Sequence, residues 1–311
     1  MKTIDPELSF RMEAKNGRFY QTAIFGEPPH IKEHSETFDI VVGSGGKGQT
    51  YLYWKGDELF QLPISYWTEI GEWVNSPGYP DATADFDRPV IPRCVECHAS
   101  YFEPLTPARL MNRYERTGFV LGISCERCHG PGREHASRHR SAVATSAAKS
   151  IANPVKFLRD RQIEVCAQCH GGSGEEIAPA FSFKPGEPLA NYIKLQRPAP
   201  EDKVDVHGNQ VALLERSRCY QSSANMTCST CHDEHAPERS AASYSSRCLT
   251  CHEANKCGMY TKLGAQIASN CIDCHMPIQQ SDLIVSTVSG SVVKAKVRNH
   301  WIKVYVGSSG H

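Results

Sequence analysis

Twelve of the 14 cysteines in this chain fall into six copies of one pattern, Cys-x-x-Cys-His. They are Cys94-Val-Glu-Cys97-His98, Cys125-Glu-Arg-Cys128-His129, Cys166-Ala-Gln-Cys169-His170, Cys228-Ser-Thr-Cys231-His232, Cys248-Leu-Thr-Cys251-His252 and Cys271-Ile-Asp-Cys274-His275. With 14 Cys and 14 His in 311 residues, chance supplies roughly 0.03 such matches. Two thiols three residues apart share one side of a helical turn, where each can add to one vinyl group of the same porphyrin. The histidine that follows then offers imidazole nitrogen to the iron. Zinc also takes Cys-x-x-Cys pairs, but it does not require His after every second Cys, and all six have it. A disulfide framework sets no histidine rule, and a thioredoxin-like dithiol occurs once rather than six times. The pattern therefore reads as six covalent haem c sites, each with its proximal histidine.

A haem iron with two protein ligands mainly transfers electrons, whereas an open position permits substrate chemistry. Beyond the six proximal histidines, eight remain: His30, His34, His135, His139, His207, His235, His300 and His311. That is enough for a second imidazole at every haem. Methionine is the other candidate ligand, at Met226, Met259 or Met276, although packing is the favoured role for each. Cys219 and Cys257 are left over, and could pair, remain thiols or ligate iron.

The elements that must position these residues are short. The gaps between first cysteines are irregular, which excludes a solenoid repeat. Helical candidates lie at Thr106–Arg116, Ala136–Ile151 and Ile163–Gln168, with a Pro/Gly-rich loop over Lys184–Pro200. Residues 1–90 carry no Cys. There, Gln49-Thr-Tyr-Leu-Tyr-Trp54 and Glu58-Leu-Phe-Gln-Leu-Pro-Ile64 flank Lys55-Gly56-Asp57, which argues for a β-hairpin. Gly43, Gly45, Gly46 and Gly48 read as a turn, because the phosphate-loop pattern is absent. The tail His300-Trp-Ile-Lys-Val-Tyr-Val306 reads as β-like.

The expected fold is a mostly irregular or α multihaem protein, with short helices and loops around a haem stack and a small N-terminal β element. A β-containing segment over 1–90 would pack on a hexahaem region over 91–311. Hydrophobic residues make up 40% and mean hydropathy is −0.43, so six flat apolar macrocycles would supply much of the interior. Lys plus Arg equals Asp plus Glu at 34 each, so nothing points to nucleic acid or an anionic membrane. No apolar run is long enough for a membrane span, and no apolar signal segment follows Met1-Lys-Thr. Propionates would make the loaded protein acidic. Arg93, Arg127, Arg133, Arg138, Arg218 and Arg247 are candidate propionate partners, each as readily a solvated surface arginine.

Several stretches resemble known multihaem c-type cytochromes. Cys128-His129-Gly-Pro-Gly-Arg-Glu-His135 is similar to the Cys-His-Gly-Pro-Gly-x-x-His stretch of the cytochrome c-554 and octahaem families. Cys231-His232-Asp-Glu-His235 is similar to their Cys-His-Asp-Pro-His, with Glu234 where proline is usual. Arg298-Asn-His300-Trp-Ile-Lys-Val-Tyr305 resembles a C-terminal segment of bacterial multihaem proteins. These resemblances imply distal ligands at His135, His235 and His300. Val42-Gly-Ser-Gly-Gly-Lys-Gly-Gln-Thr-Tyr51, Phe60-Gln-Leu-Pro-Ile-Ser-Tyr66, Ser76-Pro-Gly-Tyr79, Ser217-Arg-Cys219 and Cys274-His-Met-Pro277 extend the likeness, to a secreted bacterial multihaem family, over most of residues 38–302. Many relatives have His where this chain has Gly46, so His30, His34 or His207 must substitute or one haem stays open. His139 reads as a solvated helix face and His311 as a terminal residue.

The resulting expectation is electron transfer through six haems, mostly bis-histidine ligated, in the periplasm or outside the cell, where c-type attachment is completed. Redox proteins would be the partners. A homopolymer with haems stacked between copies is a variant the sequence permits without demanding. The alternative is an oxidoreductase acting on a small nitrogen or sulfur compound at one open haem. Against it, no Cys-x-x-Cys-Lys site is present and no catalytic grouping is assignable.

Overall fold

The computed structural model describes residues 1–106, 111–140, 150–236 and 240–305. Chain contacts divide it into two units, 1–151 with 178–183 and 282–295, and 152–177 with 184–281 and 296–311.

The first unit is built from strands. β1 (Leu8–Lys15), β2 (Arg18–Phe25) and β3 (Lys32–Thr37) form an antiparallel sheet in that order. Leu8, Phe10 and Met12 alternate with polar residues, so one face of β1 turns inward. β4 (Ile40–Val42), β5 (Thr50–Lys55), β6 (Glu58–Gln61) and β9 (Arg88–Pro89) form a second sheet, and β7 (Ile64–Trp67) pairs with β8 (Glu72–Asn75). The expected hairpin around Lys55-Gly56-Asp57 is present, with Lys55 opposite Glu58 and Gly56 at φ +66°. The glycine-rich stretch leads into β5 rather than a helix, as a turn should.

Gln21 welds the first sheet to β7. Its side chain is fully buried, donates from Nε2 to the Ile64 carbonyl at 3.1 Å and accepts from the Ile64 N–H at 2.9 Å. Gln21→Leu strands both backbone groups, and a loss of about 2–4 kcal/mol is expected in denaturant unfolding of the holoprotein. A loss below about 0.5 kcal/mol would show that the backbone finds other partners.

Three short helices complete this unit: α1 (Pro92–His98), α2 (Cys125–His129) and α3 (Arg133–Arg140), with β10 (Ala99–Tyr101) paired to β11 (Val120–Leu121). The helix expected over Thr106–Arg116 is not formed in its described part. Instead, Asn112 exchanges bonds with Leu59 (2.8 and 3.0 Å) and the Tyr114 N–H bonds the Asp57 carbonyl. Pairing with the edge of the hairpin outcompetes local helix formation. Most of Ala136–Ile151 lies outside the described residues, as does His311.

The second unit holds α4 (Arg159–His170), α5 (Gln210–Glu215), α6 (Arg218–Ser222), α7 (Ala241–Cys248), α8 (Tyr260–Leu263) and α9 (Cys271–His275). β12 (Gly174–Glu176) pairs with β13 (Ile193–Leu195), the latter inside the stretch read as a loop. A hairpin of β14 (Ile278–Val288) and β15 (Ser291–Arg298) has its tip in the first unit and its base in the second. The tail expected to be β-like is irregular over 299–305, and the strand precedes it.

The expectation of a mostly irregular or α protein is therefore overturned. Strand accounts for 28% of residues and helix for 27%, with six small sheets among the described residues. Local hairpins satisfy backbone groups between attachment turns that are each too short to do so. Both contiguous clusters of buried apolar residues among the described residues lie in the first unit, around Phe10, Tyr53, Leu62 and Ile64 and around Leu59, Val95, Phe102 and Tyr114. The second unit carries four of the six Cys-x-x-Cys-His motifs.

Candidate haem sites

Every motif forms a helical turn. Four lie wholly within α1, α2, α4 and α9. The fourth is a 3₁₀ turn opened by a capping box between Thr227 and Thr230, and the fifth follows the end of α7. In both of these the histidine N–H closes on the first cysteine's carbonyl at 3.0 Å, His232 to Cys228 and His252 to Cys248. The positions i, i+3 and i+4 of such a turn share one face, so the two thiols and the imidazole point together. The opposite face is anchored inside by Val95 and Glu96, by Arg127, by Ala167 and Gln168, and by Ile272.

None of the twelve motif cysteines is buried, although cysteine is among the residues most often found inside proteins. Thioether formation needs that access, so the turns fit covalent attachment of a macrocycle along their outer faces. Among the described residues, no three of His, Cys, Asp and Glu converge into a group that could hold a metal ion alone. Shared zinc clusters, which need four converging ligands, do not fit this donor arrangement. Cys219 and Cys257 are half-buried free thiols.

The histidines divide by placement. His232 and His300 have ring centres 6.2 Å apart and planes inclined by 21°. A metal–nitrogen bond of about 2 Å and about 1.2 Å from nitrogen to ring centre, taken twice, place imidazoles on opposite sides of one iron about 6.4 Å apart. Burial holds the His300 imidazole neutral, with its pKa down to about 4. His300 Nδ1 donates to the Arg298 carbonyl at 3.1 Å, which leaves Nε2 as the nitrogen able to bind a metal. Two motif histidines are oriented in the same way: His275 Nδ1 to the Lys303 carbonyl at 2.9 Å, and His170 Nδ1 to Gln210 Oε1 at 3.2 Å.

The other distal candidates sit differently. His135 and His139 lie one turn apart on α3, with ring centres at 4.5 Å. His34, on β3, packs against Phe86 at 4.5 Å and meets Glu36 at 3.2 Å, and His30 is exposed in the preceding loop. His207 is exposed, in a turn where its N–H bonds Asp205. His235 is exposed, in a turn held by Asp233. His98 and His252 are exposed and His129 half-buried, as are Met226, Met259 and Met276.

The first two attachment turns share one buried charge cluster. Glu96, the second middle residue of the first motif, is 4% exposed, and Arg127, its counterpart in the second, is 8% exposed. Arg127 Nη2 donates to the Glu96 carbonyl at 2.8 Å and lies 3.7 Å from the carboxylate, which Arg93 also binds at 2.8 Å. The Phe181 N–H donates to the same carboxylate at 2.9 Å. Arg127 therefore faces inward onto Glu96 rather than out to solvent. Beside α2 lies an open surface cleft of about 710 Å³ lined by the exposed residues Glu126, Pro131, Arg133, Glu134, Ser137 and Ser150. In the second unit, α4 and the 3₁₀ turn at Cys228–Thr230 are in contact, which brings the third and fourth motifs together. The α7 and α9 turns meet where the Cys271 N–H bonds the buried Ser245 hydroxyl at 2.8 Å.

Glu96, Gln210, Ser217 and the Lys303 carbonyl were not legible as site residues. Only Ser217 carried a signal, within the Ser-Arg-Cys stretch that resembles other multihaem chains.

The family model described as cytochrome c554 and c-prime matches residues 79–130, which include the first two motifs. The C-type polyheme cytochrome OmcC of Geobacter sulfurreducens is 23% identical over 168 residues, 47% of this chain and 20% of that protein. The C-type polyheme cytochrome OmcB of Geobacter sulfurreducens is 27% identical over 161 residues, 45% of this chain and 19% of that protein. The chain thus spans about a fifth of the length of these relatives. No solved structure matches. Among the described residues no helix is long and apolar enough to cross a membrane. In its first two Cys-x-x-Cys-His turns and over just under half of its length, the chain is thus similar to multihaem c-type cytochromes.

Proposed function

We propose that the chain is an electron-transfer protein holding six haems, one on each Cys-x-x-Cys-His turn, with His232 and His300 as the two axial ligands of the fourth. The single observation that carries this reading is the 6.2 Å separation of those two imidazoles. A bound haem supplies an iron that cycles between ferric and ferrous states and so stores one electron. The polypeptide supplies the rest. Paired thiols fix each ring, hydrogen bonds donated by Nδ1 aim the ligating nitrogens, and contact between neighbouring turns keeps successive sites close.

Contact between neighbouring turns, as where the Cys271 N–H bonds the Ser245 hydroxyl at 2.8 Å, favours relay over substrate chemistry. Export from the cytoplasm, docking with redox proteins and end-to-end association of copies belong to the same reading, supported by the chemistry of thioether attachment and the polyheme relatives. His135 and His235 remain the candidates for further distal ligands, with His30, His34 and His207 behind them.

Intact mass and reductive titration of the purified holoprotein test the core of the proposal. Six haem masses above the polypeptide and six electrons per chain are expected. Fewer haems, with motif thiols still titratable, would remove the corresponding turns from the relay.

A further inference from the structure

We propose that residues 298–303 form one strap that sets the axial imidazoles of two haems together, with Ser217 as its positioning residue. This rests on haem attachment at the fourth and sixth motifs. Arg298 ties the start of the strap to α9, donating from Nη1 to the carbonyls of Ile272 (2.9 Å) and Met276 (2.8 Å) and from Nη2 to Asp273 at 2.7 Å. At its other end the Lys303 N–H bonds the His275 carbonyl at 3.3 Å, and the Lys303 carbonyl receives His275 Nδ1. Both ends thus belong to the sixth motif.

The middle belongs to the fourth. His300 faces His232, and the backbone immediately after it is held by one fully buried hydroxyl. Ser217 Oγ donates to the His300 carbonyl at 3.1 Å and accepts from the Ile302 N–H at 2.7 Å. Asn299 stiffens the same turn, its Oδ1 accepting from the Trp301 N–H at 2.7 Å. The six residues from 298 to 303, joined by five peptide links, reach at most about 18 Å, so a shift at either end is carried to the other within one short, hydrogen-bonded span. Displacing His300 must therefore move the carbonyl that orients His275, and the reverse.

Carbon monoxide competes with a distal imidazole for ferrous iron, so its affinity reports how firmly the strap holds His300. In the holoprotein, His300→Ala tests the underlying ligand reading and is expected to bind one more CO per chain than wild type. Ser217→Ala is expected to raise CO affinity at that same haem about tenfold, the effect of losing one buried hydrogen-bonded anchor. It should also shift the low-spin EPR signals of two haems, leaving the rest unchanged, and Ser217→Thr should restore both. Should Ser217→Ala not mature, Arg298→Gln is read in its place, with the same two-haem signature expected. A CO affinity within twofold of wild type, or a change confined to one haem, overturns the strap while leaving the ligand pair intact. If His300→Ala gains no CO site, the ligand pair itself fails.

Discussion

Replacing His300 with alanine is expected to convert one haem in six from six-coordinate low-spin to high-spin, without loss of that haem from the chain. Attachment depends on Cys228, Cys231 and His232, which the substitution leaves in place. The sixth ligand depends on a neutral imidazole held opposite His232, whereas the Tyr244 ring that packs on His232 at 5.3 Å is a phenol. Loss of one axial imidazole weakens the ferric state more than the ferrous, so the potential of that haem should rise. Magnetic circular dichroism of the oxidised protein, read beside intact mass, is the measurement. An unchanged low-spin spectrum with all haems present would strike His300 from the ligand set. The same experiment on His235→Ala discriminates further, because His235 is exposed and a mere surface histidine would change nothing.

The second large effect concerns stability. Arg127→Met leaves the Glu96 carboxylate buried with only Arg93 and the Phe181 N–H to compensate it, and removes the guanidinium from the face of Phe181. Removing one partner of a buried pair costs about 3–5 kcal/mol, a large share of the 5–15 kcal/mol that keeps a typical domain folded. The residual bond to Arg93 puts the expected loss near about 3 kcal/mol. The double substitution Glu96→Met with Arg127→Met removes both charges and should recover most of it, since buried pairs are often replaceable by apolar residues of similar size. Denaturant unfolding of the holoproteins, followed at far-UV wavelengths, measures each. A single substitution costing less than about 1 kcal/mol would mean that water reaches Glu96. A double variant as unstable as the single would mean that volume, not charge, holds the two turns together.

Some of the architecture was written locally. The Lys55-Gly56-Asp57 hairpin follows from a positive-φ glycine between alternating strands, and Ile163–Gln168 lies within α4 as its pattern suggested. The alternation of Leu8, Phe10, Met12 and Ala14 in β1 is equally local, yet the expected β-containing segment over 1–90 named no individual strand within 1–37. The overstatement of helix came from reading spans such as Thr106–Arg116 by their own pattern, when Leu59 and Asp57 were their actual partners.

The six Cys-x-x-Cys-His turns were determined by sequence alone, because two thiols and an imidazole within five residues meet on one turn wherever the chain goes. Which histidine faces which was not so determined. His300 reaches His232 only because Ser217, 83 residues away, grips the backbone around it, and Arg127 turns inward only because Glu96 is buried beneath it. Covalent chemistry is encoded in neighbours along the chain. Ligand pairing and the burial of charge depend on residues brought together by folding, and so were decided by the tertiary structure.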